Sequence, residues 1–161
     1  MDGGVNRMLK LFASIILCQA AGIIGSFFTR ASLENWYRTL VRPSFAPPNQ
    51  VFAPVWITIF VLMGISLYLA ARPEASLSQN KKAFAIFSAQ LFFNVMWSAA
   101  FFGMKSTLAG LVVITVLWFL ILWNIFAFYK ISPAAGILLI PYILWVSFAA
   151  LLNFEYWRLN G

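Results

Sequence analysis

Charged residues divide the chain into five long apolar stretches. The charge-free stretches run over 11–29, 43–71, 83–104, 106–129 and 131–154. A membrane-spanning helix needs about 20 predominantly apolar residues. The pattern therefore predicts an all-α integral membrane protein, a five-transmembrane-helix bundle with its two termini on opposite sides of the bilayer. We expect a single domain over 1–161, with helices at about 8–29, 50–71, 82–102, 106–129 and 133–157.

The stretch from Trp36 to Trp56 interrupts the helical pattern. It contains four prolines: Pro43, Pro47, Pro48 and Pro54. Proline fixes its own φ and biases the preceding residue toward extended backbone, so most of this stretch is not regular helix. Its aromatic residues allow two interpretations, a lid packed over whatever the bundle binds or a connector with its rings at headgroup level. We expect a structured lid loop over 30–49, between helices 1 and 2.

Composition supports a membrane protein and argues against a nucleic-acid partner. The 161 residues are 63% hydrophobic and only 9% charged, which is too little polar surface for a soluble domain. The net charge is +7, but the basic residues are spread over every loop, and Lys81-Lys82 is the longest run. Positive charge at helix ends is the usual membrane-anchoring pattern. The charges on the two sides are nearly balanced, so the orientation stays open.

The residue inventory leaves few candidates for catalysis or metal binding. The chain contains no histidine, and Cys18 is its single cysteine. Histidine is the commonest general base and metal ligand, so we expect no metal site and no cofactor. Glu155 is the one carboxylate near a predicted span, which leaves no catalytic residue for acid–base chemistry.

One face of the third helix combines aromatic and amide side chains. Phe87, Gln90, Asn94, Trp97 and Phe101 recur at spacings of three and four residues, so they share one stripe. Amides at this depth are costly unless they form hydrogen bonds. They either tie helices together or form the wall of a pocket, and the accompanying indole favours the pocket.

The first and fifth helices carry further shaped faces. A small-residue patch on helix 1 is interpreted as packing surface: Ala20, Ala21, Gly22, Gly25 and Ser26. In the fifth helix Pro141 is expected to kink the backbone or to free a backbone carbonyl in the bundle. Trp145 lies one turn from the small Ala149, which makes a notch. Leu152, Tyr156 and Arg158 match a proposed sterol motif, a pattern that an aromatic belt followed by a basic residue also produces.

An ordered set of motifs resembles one family along nearly the whole chain. The elements are Trp36-Tyr37-x-x-Leu40-x-x-Pro43-x-x-x-Pro47-Pro48, Pro54-x-Trp56, Gln90-x-x-x-Asn94-x-x-Trp97, Phe101-Phe102-Gly103, Pro141-Tyr142-x-x-Trp145 and Ala149-x-x-Leu152-Asn153. Together they resemble the TspO/translocator-protein family, the tryptophan-rich sensory proteins that include the peripheral benzodiazepine receptor. The short C-terminus and the composition resemble bacterial members, which implies a bacterial cell membrane.

The resemblance implies a homodimer in which the first loop closes over a pocket for porphyrins, sterols or benzodiazepine-type ligands. Carried over by position, the pocket residues are Trp36, Trp56, Phe60, Gln90, Asn94, Trp97, Tyr142, Trp145, Ala149 and Leu152. Phe154-Glu155 replaces the aromatic pair of the animal sterol motif, so a porphyrin is the more natural ligand than a sterol.

Three functions are compatible with these features. The leading hypothesis is a receptor or sensor that stacks a flat tetrapyrrole on pocket indoles, with Arg38 and Arg42 attracting its propionates. The second is a transporter of sterol or porphyrin. The third is an enzyme that degrades bound porphyrin with light and oxygen, in which Trp36 and Trp145 would take part.

Overall fold

The computed structural model describes residues 2–71 and 77–161, and within them the chain is a bundle of long helices. Five helices in this part of the chain are long and apolar enough to cross a membrane. The predicted fold class, an all-α five-helix membrane bundle, is therefore confirmed, and the chain is a multi-pass integral membrane protein. Arg72-Pro73, which we expect to end the second helix, lies outside the described residues.

The spans are built from six α-helices. They are α1 Asp2–Leu33, α2 Phe52–Ala70, α3 Leu77–Ser98, α4 Thr107–Ile131, α5 Pro133–Ile137 and α6 Ile140–Asn160. Short 3-10 turns at Tyr37–Thr39 and Asn49–Val51 lie in the loop before α2. α1 continues beyond the expected start of the lid loop, because Ala31, Ser32 and Leu33 contain no helix breaker. The loop is correspondingly shorter than 30–49.

Proline divides the fifth span into α5 and α6. Pro133 occupies the first turn of α5 and Pro141 the first turn of α6, where a missing backbone N–H costs nothing. Leu138 and Leu139 form a turn between the two helices, and the Leu139 amide donates to the Gly136 carbonyl at 3.1 Å. Where a kink or a freed carbonyl is expected at Pro141, the structure has a turn between two helices, just before this proline.

Small and polar side chains join the helices. A Cβ added to Gly64 of α2 would meet the Cα of Ile15 in α1 at 2.5 Å, so these two backbones touch. Ser66 donates to the carbonyl of Ala135 at 2.7 Å, which links α2 to α5. The Trp118 indole donates to the Ser147 hydroxyl at 2.8 Å and links α4 to α6.

The end of α3 widens into a π-helical turn, Ala99–Gly103. Its i to i+5 hydrogen bond runs from the Met104 amide to the Ala99 carbonyl at 2.8 Å. The turn buries both Phe101 and Phe102 on the inner side of the bundle. The Ser32 hydroxyl donates to the Phe102 carbonyl at 2.6 Å, which supplies a partner where the helical pattern changes.

Candidate functional site

The bundle encloses an elongated cavity of about 440 Å³ beneath the loop. Along α1 its lining extends from Gln19 to Leu33, about 21 Å at 1.5 Å per helical residue. The described residues that line it are Gln19, Gly22, Ile23, Gly25, Ser26, Thr29, Arg30, Leu33, Tyr37, Asn49, Phe52, Ala53, Trp56, Ile57, Phe60, Asn94, Trp97, Ser98, Phe101, Phe102, Ala149, Leu152, Asn153 and Tyr156.

Aromatic rings form one continuous wall of the cavity. Trp56 stacks on Phe60 with ring centroids 5.6 Å apart, and it lies 6.3 Å from Trp97. The Trp97 indole donates to the Asn153 side-chain oxygen at 3.1 Å, and the Asn153 amide donates to the Thr107 carbonyl at 2.7 Å. These two bonds fix the position of the Trp97 indole, and Asn153 itself also lines the cavity.

Each of the two amides at the deep end of the cavity donates one hydrogen bond to another helix. Asn94 donates to the buried Tyr142 hydroxyl at 2.9 Å. Gln19 donates to the Ile57 carbonyl at 3.0 Å and so joins α1 to α2. These bonds tie helices together, as one of the two interpretations of the α3 amides predicts. Asn94 also lines the cavity, as the other interpretation predicts.

The loop covers the other end of the cavity and is fastened to α6. The Tyr37 and Tyr156 hydroxyls lie 2.7 Å apart. The Val41 amide donates to the Asn160 side-chain oxygen at 2.7 Å, and the Asn160 amide donates back to the Val41 carbonyl at 3.1 Å. Burial, and then the hydrogen bond to Tyr156, raise the pKa of Tyr37 above its usual range, so its phenol is neutral at physiological pH.

One long side of the cavity opens between α1 and α2. Ile23 is 58% exposed and Ile57 is 57% exposed, and both line the cavity. In a membrane-spanning bundle such outward-facing aliphatic side chains contact lipid tails. The rim between α1 and α2 therefore borders the hydrocarbon region.

Six of the ten predicted pocket residues line the cavity together: Trp56, Phe60, Asn94, Trp97, Ala149 and Leu152. The other four lie behind this lining. Gln90 is fully buried, and Tyr142 is buried behind Asn94. Trp36 packs edge-on against Phe101, with centroids 5.5 Å apart.

Trp145 is displaced from the lining by the first turn of α2. Phe52 lines the cavity and packs edge-on against Trp145, with centroids 5.7 Å apart. Trp145 also contacts Phe148, and its indole nitrogen is buried without a hydrogen-bond partner among the described residues. The notch predicted beside Ala149 is thus occupied on one side by a phenyl ring.

The residues of the proposed sterol motif point in two directions. Leu152 and Tyr156 line the cavity. Arg158 is exposed and its Nε donates to the Glu155 carboxylate at 2.9 Å. The carboxylate that departs from the animal motif therefore binds the motif's own basic residue.

One face of α1 contributes much of the lining. The sequence pattern of small residues on this face predicts a packing surface instead. Gly22, Gly25 and Ser26 of the small-residue patch line the cavity, although Gly22 also packs against Phe60 and Gly25 against Ser98. The sequence feature that indicates a cavity lining here is the presence of polar Gln19 and Thr29 on the same stripe of α1. Small residues leave space that either a helix or a ligand can occupy.

The two arginines expected to attract propionates are engaged elsewhere. Arg38 lies 3.9 Å from the Glu34 carboxylate. Arg42 donates to the Pro47 carbonyl at 2.6 Å, inside the loop. Neither residue lines the cavity, whereas Arg30 does.

Known proteins are similar in sequence to this chain along most of its length. The sequence profile of the TspO/MBR family matches residues 14–158. The tryptophan-rich protein TspO of Chlorobaculum tepidum is 43% identical over 155 residues, which cover 96% of this chain and 98% of that protein. The tryptophan-rich protein TspO of Archaeoglobus fulgidus is 42% identical over 155 residues, covering 96% and 99%. The translocator protein of Bos taurus is 30% identical over 146 residues, covering 90% and 86%. The chain therefore belongs to the TspO/MBR family, as the ordered motifs of its sequence predicted.

Proposed function

We propose that this protein is a membrane receptor or sensor that binds a flat, largely apolar porphyrin-type tetrapyrrole in the lidded cavity. Its membership of the TspO/MBR family supports a receptor role. The observation that carries the choice of ligand is the wall formed by Trp56, Phe60 and Trp97. Aromatic walls of this kind offer offset stacking to a flat ring system.

The size of the cavity is consistent with a small-molecule site. Such sites have volumes of roughly 300–1,000 Å³ and are mostly apolar with a few placed polar groups. The cavity falls within that range at about 440 Å³. Trp56 and Trp97 are its stacking surfaces, while Trp36 and Trp145 act through the neighbouring Phe101 and Phe52.

The lipid-facing rim gives an apolar ligand a route to the site. A ligand dissolved in the bilayer would pass between Ile23 and Ile57 without crossing an aqueous phase. The loop, fastened by Tyr37, covers the headgroup side. The homodimer implied by the family resemblance remains a prediction.

The test is a titration of the purified protein in uncharged maltoside micelles with protoporphyrin IX in the dark, followed by the porphyrin absorbance band. We expect saturable binding by the wild type. Ala149→Phe, at a buried position on the lining, should weaken binding about tenfold or more, since the added ring occupies cavity volume.

Leu151→Phe is the matched control. It introduces the same ring on the same helix, at a position that is 64% exposed on the outer surface. Its affinity should equal that of the wild type. Non-saturable uptake by the wild type, or equal affinity of Ala149→Phe in the folded state, would overturn the proposal.

A further inference from the structure

The cavity has a single charged end. Among the described residues that line it, Arg30 carries the only full charge. It lies in the last turn of α1, near the end covered by the loop, and its side chain is exposed. The opposite end is bounded by Phe60 and by the Asn94 and Gln19 amides, each of which donates one hydrogen bond, to Tyr142 and to Ile57. The cavity therefore runs from an uncharged end to a cationic end, and along α1 Arg30 lies about 16 Å from Gln19.

No described residue compensates the charge of Arg30. Within residues 2–71 and 77–161 the ion pairs are Arg38 with Glu34 and Arg158 with Glu155. Glu34, four residues beyond Arg30 and just after the end of α1, interacts with Arg38. No ion pair or hydrogen bond of the Arg30 side chain is found among these residues. A guanidinium beside a largely apolar cavity favours an anionic partner.

Further polar groups line the same end. The hydroxyls of Tyr37 and Tyr156 bind each other, and that of Thr29 donates to the Gly25 carbonyl at 3.3 Å. Asn49 lines the cavity from the loop side and is exposed. An anionic group near Arg30 would thus lie among polar side chains rather than against hydrocarbon.

We infer that Arg30 is a specificity-determining residue, which selects ligands bearing a carboxylate at the edge that faces the loop. The inference rests on the proposed function and names the chemical class of its ligand: a flat apolar body with acidic groups along one edge. Arginine suits this task, because its planar fork can bind a carboxylate through two parallel hydrogen bonds. Lipid phosphate offers the same anionic chemistry from outside the cavity, and the experiment separates the two sources.

The test compares protoporphyrin IX, which carries two carboxylates, with its neutral dimethyl ester. Both are titrated into wild type, Arg30→Gln, Arg30→Lys and Lys105→Gln in uncharged maltoside micelles, where no phosphate is present. Each ligand partitions into micelles equally for all variants. The ratio of the ester Kd to the acid Kd, compared between variants, is therefore free of that effect.

Arg30→Gln should lower this ratio about tenfold, through weaker acid binding and with ester binding unchanged within about twofold. Arg30→Lys should keep part of the preference, since it retains the charge but loses the fork. Lys105→Gln removes an exposed charge outside the cavity lining and should leave the ratio unchanged.

The same titrations in phosphatidylcholine nanodiscs identify the anion. We expect the acid preference to persist there. Its disappearance in nanodiscs would assign Arg30 to lipid phosphate and overturn the inference. An unchanged ratio in Arg30→Gln micelles, or an equal loss for acid and ester, would also overturn it while leaving porphyrin binding intact. If neither compound bound the wild type, the proposed function itself would fail, and the inference with it.

Discussion

The hydroxyl oxygens of Tyr37 in the loop and Tyr156 in α6 lie 2.7 Å apart. Both tyrosines also line the cavity. A second attachment, between Val41 and Asn160, lies one turn further along α6. The lid is therefore fixed to the C-terminal end of the bundle at two points, and a ligand in the cavity would lie beside the first of them.

Removing the Tyr37 hydroxyl should loosen the loop. A hydrogen bond of this kind contributes about 0.5–1.5 kcal/mol net, so Tyr37→Phe should speed hydrogen exchange of the Val41 amide by about two- to tenfold. Tyr129→Phe is the control, because Tyr129 is 51% exposed on the outer surface. Equal exchange rates in wild type and Tyr37→Phe would show that the Asn160 attachment holds the loop alone.

The loop should also respond to alkaline pH. Burial and the Tyr156 hydrogen bond favour the neutral form of Tyr37, so its pKa in the folded state lies above the unfolded value of about 10. A raised pKa contributes stability that is fully present below pH 10 and is lost as the pH rises through the folded pKa. The difference in melting temperature between the wild type and Tyr37→Phe should therefore be constant between pH 7 and about 9.5. Above that range the two melting temperatures should converge. A difference that grows with pH would contradict this assignment.

The contact between α1 and α2 depends on the absence of a side chain at Gly64. An added Cβ would meet the Ile15 backbone at 2.5 Å, and backbone cannot move aside as a side chain can. We expect Gly64→Ala to lower the free energy of unfolding by about 1–3 kcal/mol.

Gly4→Ala is the matched control, since nothing lies within 4 Å of its added Cβ. Its better helix propensity should leave stability unchanged or slightly raised. Equal melting temperatures of the two variants in the same detergent would refute the close approach.

Gln90 offers a test of buried polarity. It is fully buried in α3, and neither atom of its amide has a hydrogen-bond partner among the described residues. An unpaired buried amide costs about 1–3 kcal/mol, so Gln90→Leu should keep or raise the melting temperature. Phe87→Leu, one turn away on the same stripe, serves as a reference for lost packing and should lower it. A fall for Gln90→Leu as large as that reference would mean that water inside the bundle satisfies the amide.

Trp97 and Trp145, two of the four tryptophans predicted for the pocket, should differ in their effect on ligand affinity. Trp97 lines the cavity, whereas Trp145 packs behind Phe52. In the protoporphyrin titration Trp97→Phe should weaken binding about five- to tenfold, and Trp145→Phe about twofold or less. Following porphyrin absorbance avoids the loss of a tryptophan reporter. A larger effect of Trp145→Phe would show that Phe52 moves away when a ligand enters.

The sequence alone determined the features that depend on local physics. The five spans follow from charge-free lengths matched to the bilayer, and the loop between Trp36 and Trp56 follows from its prolines. The break at Pro141 has the same local cause. The buried stripe of Phe87, Gln90 and Asn94 follows from helical periodicity, since one face of a helix must meet its neighbours.

Only the tertiary structure decided which residues border the cavity and which pack between helices. The patch at Gly22 and Gly25 looks the same in sequence whether it contacts a helix or borders a cavity, because both need only small residues. Phe52 and Trp145 are distant in sequence, and their contact depends on how the first turn of α2 packs against α6. That Arg30 lines the cavity while Arg38 pairs with Glu34 likewise depends on the continuation of α1 to Leu33 and on the position of Glu34. Each of these outcomes is set by the rotation and spacing of whole helices, which no local pattern encodes.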